Sequence, residues 1–191
     1  MAITHVNRKG QTYYLHIGKT PTGKPKYQFS KSSEGALVDQ FPEGYEVREQ
    51  LTGQVSLRLA KPKLITDQEL QIVERELAKV VPANRGYVNR DGKVLTVNVA
   101  NTDDRMEEIL QRIGGGITPS MIESMMTSCQ RYESAFRFIL LDGERRTFQT
   151  ERFCYRGSVD DWIHIGNSGP LEYLARLYLQ HVGQESYFDL I

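Results

Sequence analysis

Six cations, Arg8, Lys9, Lys19, Lys24, Lys26 and Lys31, precede Glu34, the first acidic residue of the chain. Tyr13, Tyr14, Tyr27 and Phe29 lie among them. Cations gain phosphate affinity by releasing condensed counterions, and aromatic rings stack on bases. This mixture of residue types therefore points to a polyanion such as nucleic acid. A solvated sheet whose edge lysines discourage unwanted strand pairing is the plainer account of the same residues.

A second concentration of reactive side chains runs from Arg156 through Ser158, Asp160, Asp161 and Trp162 to His164. Paired carboxylates beside a histidine could hold a divalent cation or move protons, which makes a metal-assisted hydrolase the outside reading. It requires Asp160, Asp161 and His164 to converge with Asp142 or Glu144. Adjacent carboxylates diverge on a strand and are about 100° apart on a helix. Ser158–Asp161 also has the S-x-x-D form of a helix cap, so a structural corner with Trp162 and Ile163 buried is expected there.

Gly114-Gly115-Gly116 ahead of Thr118 could let an anion approach a helix N-terminus. The P-loop spacing and its lysine are missing, and a flexible link explains the glycines as well. Met121, Met125 and Met126 recur at helical spacing, as in an adaptable partner groove, although core is the expectation for such a stripe. Cys129 and Cys154 form no C-x-x-C or Cys/His ligand pair, which excludes a zinc ribbon. Both are expected to be small buried apolar residues. The apolar end Ser186–Ile191 is expected to dock on the body, the other reading being a tail for a partner.

The elements that must position these residues follow from hydropathy. Thr12–Ile17 alternates, with Tyr13, Leu15 and Ile17 on one face and Tyr14 and His16 on the other. Thr20–Pro25 is a turn, and Lys26–Ser30 alternates again. Tyr45–Glu49 and a strand through Val55, Leu57 and Leu59 complete a four-stranded antiparallel sheet, which must lie on something. The following helix is the expected support. Thr66 and Glu69 form a capping box, Ile65 and Leu70 a hydrophobic staple, and Pro82 ends the run.

Asp91-Gly92 and Asp142-Gly143 predict two hairpins, Gly86–Arg90 with Lys93–Val99 and Ala135–Leu141 with Arg145–Phe153. Between them, Asp103–Ile113 and a segment from Pro119 read as helices, the second capped by Thr118. A last helix is expected over Pro170–Val182.

Net charge is zero over 191 residues, yet residues 1–65 carry 10 Lys+Arg against 5 Asp+Glu, and residues 66–191 carry 14 against 19. A basic head on an acidic body suggests a charged partner. With 39% apolar residues the chain can bury a core without disulfides or metals. Neither a signal peptide nor a run of about 20 apolar residues is present, so a cytoplasmic protein without a membrane span is expected.

Residues 7–31 resemble the opening of a set of uncharacterised bacterial proteins with an NRKGxTYYLHxGxTxTGKPxYxFS-type segment. Here it reads Asn7-Arg8-Lys9-Gly10-Gln11-Thr12-Tyr13-Tyr14-Leu15-His16-Ile17-Gly18, continuing through Thr22-Gly23-Lys24-Pro25-Lys26-Tyr27-Gln28-Phe29-Ser30. The closing stretch, Arg152–Ser158, Asp160–Trp162 and Tyr187–Leu190, is similar to that set as well. No function is attached to the set, so the resemblance implies no mechanism. The strand–TGK–strand element also resembles the small arm-type DNA-binding sheets of tyrosine recombinases over about 25 residues. No recombinase pattern of catalytic arginines and tyrosine follows it.

The expected fold is α+β. A basic antiparallel β module over residues 1–64 packs on a helix and is followed by a body over 65–191 with two Asp-Gly hairpins and three or four helices. The expected function is a non-enzymatic nucleic-acid-binding accessory protein without cofactor or metal. Its site comprises Arg8, Lys9, Tyr14, His16, Lys19, Lys24, Lys26, Gln28, Arg48 and Arg58, read as one outward surface with its edges. The alternative is a protein-interaction subunit, of a homo- or hetero-oligomer, using the methionine helix or the C-terminus.

Overall fold

The computed structural model describes residues 2–101, 118–156 and 159–191. The helix expected over Asp103–Ile113, the Gly114–Gly116 link and Ser158 lie outside them. The chain divides into two compact units, Met1–Ala60 with Asn101–Arg131, and Lys61–Ala100 with Tyr132–Ile191.

The α+β arrangement with a four-stranded sheet is not what forms. Strand outweighs helix, in sheets of three, two and five strands, and the described residues hold three α-helices. In the first unit, β1 (Thr4–Val6), β2 (Thr12–Lys19) and β3 (Pro25–Ser30) make an antiparallel sheet in the order β1-β2-β3. β1, three residues long, is too brief to show a hydropathy period. β4 (Tyr45–Glu49) and β5 (Val55–Leu59) pair only with each other, as a separate hairpin. Beyond the end of β1, residues 36–38 run along β2. Ile17 N–H donates to the Ala36 carbonyl at 2.9 Å, and Val38 N–H to the Leu15 carbonyl at 2.9 Å.

The inner faces of sheet and hairpin meet. Tyr27 and Tyr45 make an edge-on ring contact at 5.7 Å, and Asn7 Nδ2 donates to the Gly53 carbonyl at 2.7 Å. The buried apolar residues described here are few: Tyr13, Leu15 and Val55. Among the described residues, strand pairing and polar ties hold sheet and hairpin together beside these few side chains. In the same unit, α2 (Pro119–Cys129) has Thr118 as its N-cap and Pro119 in its first turn, as expected. Met121 and Met125 are exposed rather than core, and Cys129 is exposed while Cys154 is buried. Helical spacing identifies a shared face but not what covers it.

The second unit holds the main core. A five-stranded sheet has the order β10-β9-β8-β7-β6, built from β6 (Gly86–Asp91), β7 (Val94–Asn101), β8 (Arg131–Asp142), β9 (Thr147–Arg156) and β10 (Val159–Pro170). The helix expected to support the first sheet, α1 (Asp67–Leu77), instead puts Val73 and Leu77 into this core with Phe136, Phe138 and Phe148. α3 (Leu171–Leu179) adds Leu171, Leu174, Ala175 and Leu179. The corner expected at Ser158–Asp161 is also corrected: residues 159–170 form β10, paired with β9 from Val159 opposite Arg156. Local capping chemistry yields here to the partner strand that β9 offers.

The second Asp-Gly turn is longer than expected, and β9 starts at Thr147. Asp142 Oδ1 accepts from the N–H groups of Glu144 and Arg145 at 2.8 and 2.9 Å, which opens the turn. Arg146 then adopts φ 49°, costly without glycine, and its guanidinium binds the Glu69 carboxylate. Glu69 also accepts from Thr66 N–H at 2.8 Å, completing the capping box. Burial pushes the Glu69 carboxyl up, but hydrogen bonds from Arg146 and Thr66 and the guanidinium charge outweigh it, holding it below its ordinary value of 4.5. Glu76 is held low mainly by the Lys79 ammonium, against the opposing effect of burial.

Both carboxyls are depressed in the folded state, so their stabilisation is present above pH 4.5 and is lost as pH falls through their folded values. Glu69→Gln should therefore lower stability at neutral pH and flatten the acid limb of the pH–stability curve, read by urea unfolding. An unchanged limb would show that Glu69 gains nothing from its cap and guanidinium.

Candidate nucleic-acid interface

The register divides the ten expected site residues among several surfaces. Thr4, Tyr14 and Ser30 align across the first sheet, as do His16 with Gln28 and Gly18 with Lys26. Tyr14, His16, Lys26 and Gln28 thus share its outer face. Arg48 and Arg58 face outward from the other hairpin, beside Ser56 and Glu46. The inner faces of sheet and hairpin point at each other, so these two outer faces look away from one another. A single surface holding all ten does not form.

Several of the ten are already engaged. Arg8 Nη1 lies 3.1 Å from Glu49 Oε1, and its backbone N–H donates to the same oxygen at 3.1 Å. Arg58 Nε donates to Glu46 Oε1 at 2.7 Å. The stem of Lys9 crosses Gly53, where an added Cβ would meet Lys9 Cδ at 3.2 Å. His16 Nε2 donates to the Ser32 carbonyl at 2.9 Å, and Gly35 lies against the other side of the ring. That histidine is half-buried under the residue 32–38 segment and offers no open stacking platform. Glu46 lies directly across the hairpin from Arg58, whereas Glu49 follows Tyr45 and Val47 along the hairpin's inner face.

What remains is the end of the β2–β3 ribbon. Lys19 aligns with Pro25 and Gly18 with Lys26, so Lys19 and Lys26 project from opposite faces of one two-stranded ribbon. Lys24 lies in the turn between them. All three are exposed, and among the described residues no carboxylate pairs with them.

The turn that carries them is tightly organised. Thr20 N–H donates to the Lys24 carbonyl at 2.8 Å, Gly23 N–H to the Thr20 carbonyl at 2.8 Å, and Lys24 N–H to Thr20 Oγ1 at 3.0 Å. Gly23 has φ +80°, a conformation for which glycine carries little steric penalty.

Asp160, Asp161 and His164 do not converge. They follow one another along β10, where Asp160 and Asp161 point to opposite faces and Asp160 and His164 are about 13 Å apart at about 3.3 Å per residue. Asp161 Oδ1 is occupied by the Trp162 N–H at 2.7 Å. Among the described residues no group of three His, Cys, Asp or Glu side chains is placed to hold a metal ion. No helix among them is long and apolar enough to cross a membrane. No protein-family model, no curated protein and no solved structure matches this chain.

Proposed function

We propose that the chain is a nucleic-acid-binding accessory protein that contacts duplex DNA through the tip of the β2–β3 ribbon. The observation that carries this reading is the trio Lys19, Lys24 and Lys26, exposed without carboxylate partners on the two faces and the turn of one ribbon. The DNA major groove is about 12 Å wide and admits a two-stranded ribbon. Cations on both faces of such a ribbon meet both phosphate walls. The major groove of duplex RNA is too deep and narrow for this, which favours DNA. Tyr14, Lys26 and Gln28 extend the contact along the outer face, while Arg8 and Arg58 are spent on carboxylates.

The test is fluorescence anisotropy with a labelled DNA duplex across a salt series. Lys24→Glu with Lys26→Glu should weaken binding by at least about tenfold for every sequence tried, and lower the log–log salt slope by about two. Arg58→Gln, which removes a paired cation, should leave affinity within about twofold. Wild-type protein that ignores duplex DNA at low salt, or a double variant that binds as wild type does, overturns the reading.

A further inference from the structure

Among the described residues β10 ends the five-stranded sheet with β9 as its one strand partner, and Gly166 N–H, beyond its regular part, donates to the Ile191 carbonyl at 3.3 Å. A long edge strand offers a row of backbone donors and acceptors to another chain. Its regular part is bounded. Pairing with β9 is continuous from Val159 to Ile165 and then shifts register before Gly169. That bulge ends the straight edge, and the middle residue of the bounded stretch is Trp162.

The side chains around that midpoint are self-complementary. Asp160, Trp162 and His164 alternate along the strand and so share one face of the sheet. Asp160 and His164 are exposed. The inner side of Trp162 is fixed by Phe153, edge-on at 5.2 Å, and by the Arg137 guanidinium 4.6 Å above its ring. His164 Nδ1 donates to the Thr150 carbonyl at 3.2 Å, leaving its Nε2 edge open.

We propose that β10 pairs antiparallel with β10 of a second copy of this chain, centred on Trp162, which joins two five-stranded sheets into one. This register sets Trp162 against its own copy and Asp160 against His164 of the other chain, twice. It is the register that keeps like carboxylates apart and gives Asp160 a polar partner across the seam. Centring on Asp161 would oppose two like carboxylates, and centring on Ile163 would place Asp160 opposite Gly166 with no charge partner. Cross-strand opposite charges stabilise a pair, and like charges destabilise it.

The edge also carries a guard. Asp161 Oδ1 accepts the Trp162 N–H at 2.7 Å, the place a partner strand's carbonyl would take. Within an antiparallel ladder, residues alternate between those bonded to one neighbour and those facing away. A Trp162 amide held by its neighbour's side chain therefore faces outward, and Asp160 and His164 do so with it. Asp161 competes with the second copy for that donor and keeps the association reversible.

The experiment is sedimentation equilibrium of the full chain over a wide concentration range, with circular dichroism confirming that each variant is folded. Wild type should show a reversible monomer–dimer equilibrium. His164→Glu should weaken it by about tenfold, because each Asp160–His164 pair becomes two opposed carboxylates, and Asp160→Lys should weaken it as well, because each carboxylate facing an imidazole is replaced by a cation. The two together should restore it to within about threefold. Asp161→Ala, which removes the guard, should tighten it. A chain that stays monomeric throughout, or an oligomer that ignores these variants, overturns the proposal. So does a double variant no better than the singles.

Discussion

Gly166→Ala is expected to destabilise the second unit by roughly 3 kcal/mol or more. Gly166 opens the bulge of β10 with φ +58°, and a Cβ built there would lie 1.9 Å from the Tyr178 hydroxyl. The tyrosine has little room to retreat. It is buried in the core with its ring against Phe136, and burial, aided by nearby Tyr173, pushes its hydroxyl pKa up. The two causes separate in a double-mutant cycle. In a Tyr178→Phe background the overlap with oxygen disappears, the ring carbon beneath it lies 3.3 Å away, and about 1–2 kcal/mol of backbone cost remains. Urea unfolding of the four proteins reads the coupling. An equal cost in both backgrounds would show that the hydroxyl contact does not set the requirement for glycine.

Arg152→Ala should have an effect of similar size, by a different route. The Arg152 side chain is buried, and its Nε and Nη2 donate to the carbonyls of Leu190 and Phe188 at 2.7 and 3.1 Å. Its guanidinium also lies over the Tyr187 ring, whose single hydroxyl proton is shared between the Ala135 and Phe153 carbonyls, 2.8 and 2.9 Å from the oxygen. Removing the guanidinium leaves two carbonyls short of donors and opens a void, for roughly 3 kcal/mol. Tyr187→Phe should cost about 1 kcal/mol, since it removes only the hydroxyl. Hydrogen exchange supplies the specific signature. Phe188 and Asp189 amides, which donate to Glu185 and Ser186 at 3.0 and 3.3 Å, should lose protection in Arg152→Ala before the sheet does. Retained protection there would mean that Arg152 does not hold the tail.

The elements that announced themselves were those whose signals are local. Thr66 and Glu69 satisfy each other's backbone whatever the fold around them, and α1 begins where they say. Asp91-Gly92 closes β6 onto β7 with Asp91 opposite Val94. Asp142-Gly143 misled in detail because the Asp142 side chain captured two amides of its own turn.

Partner choice was not legible. The alternation in β4 and β5 gave two strands with one apolar face, but a four-stranded sheet and two facing sheets bury that face equally well. For the same reason the register of lysines about Gly18 was visible, whereas the loss of His16 to the Ser32 carbonyl was not. Residues 32–38 carry no period that would reveal where they lie. Arg8 and Arg58 looked free because their carboxylates, Glu49 and Glu46, are 41 and 12 positions away.

Neither unit is one continuous stretch of chain: the first is left at Ala60 and rejoined at Asn101, and the second is interrupted from Asn101 to Arg131. As the polypeptide leaves the ribosome, β6 and β7 emerge long before β8, the strand that covers the open side of β7. Until residue 140 or so has been translated, that hairpin must wait with the hydrogen-bonding edge of β7 unpaired. Truncation at any single point therefore divides at least one unit, so half-length fragments should be recovered as aggregates while the intact polypeptide refolds.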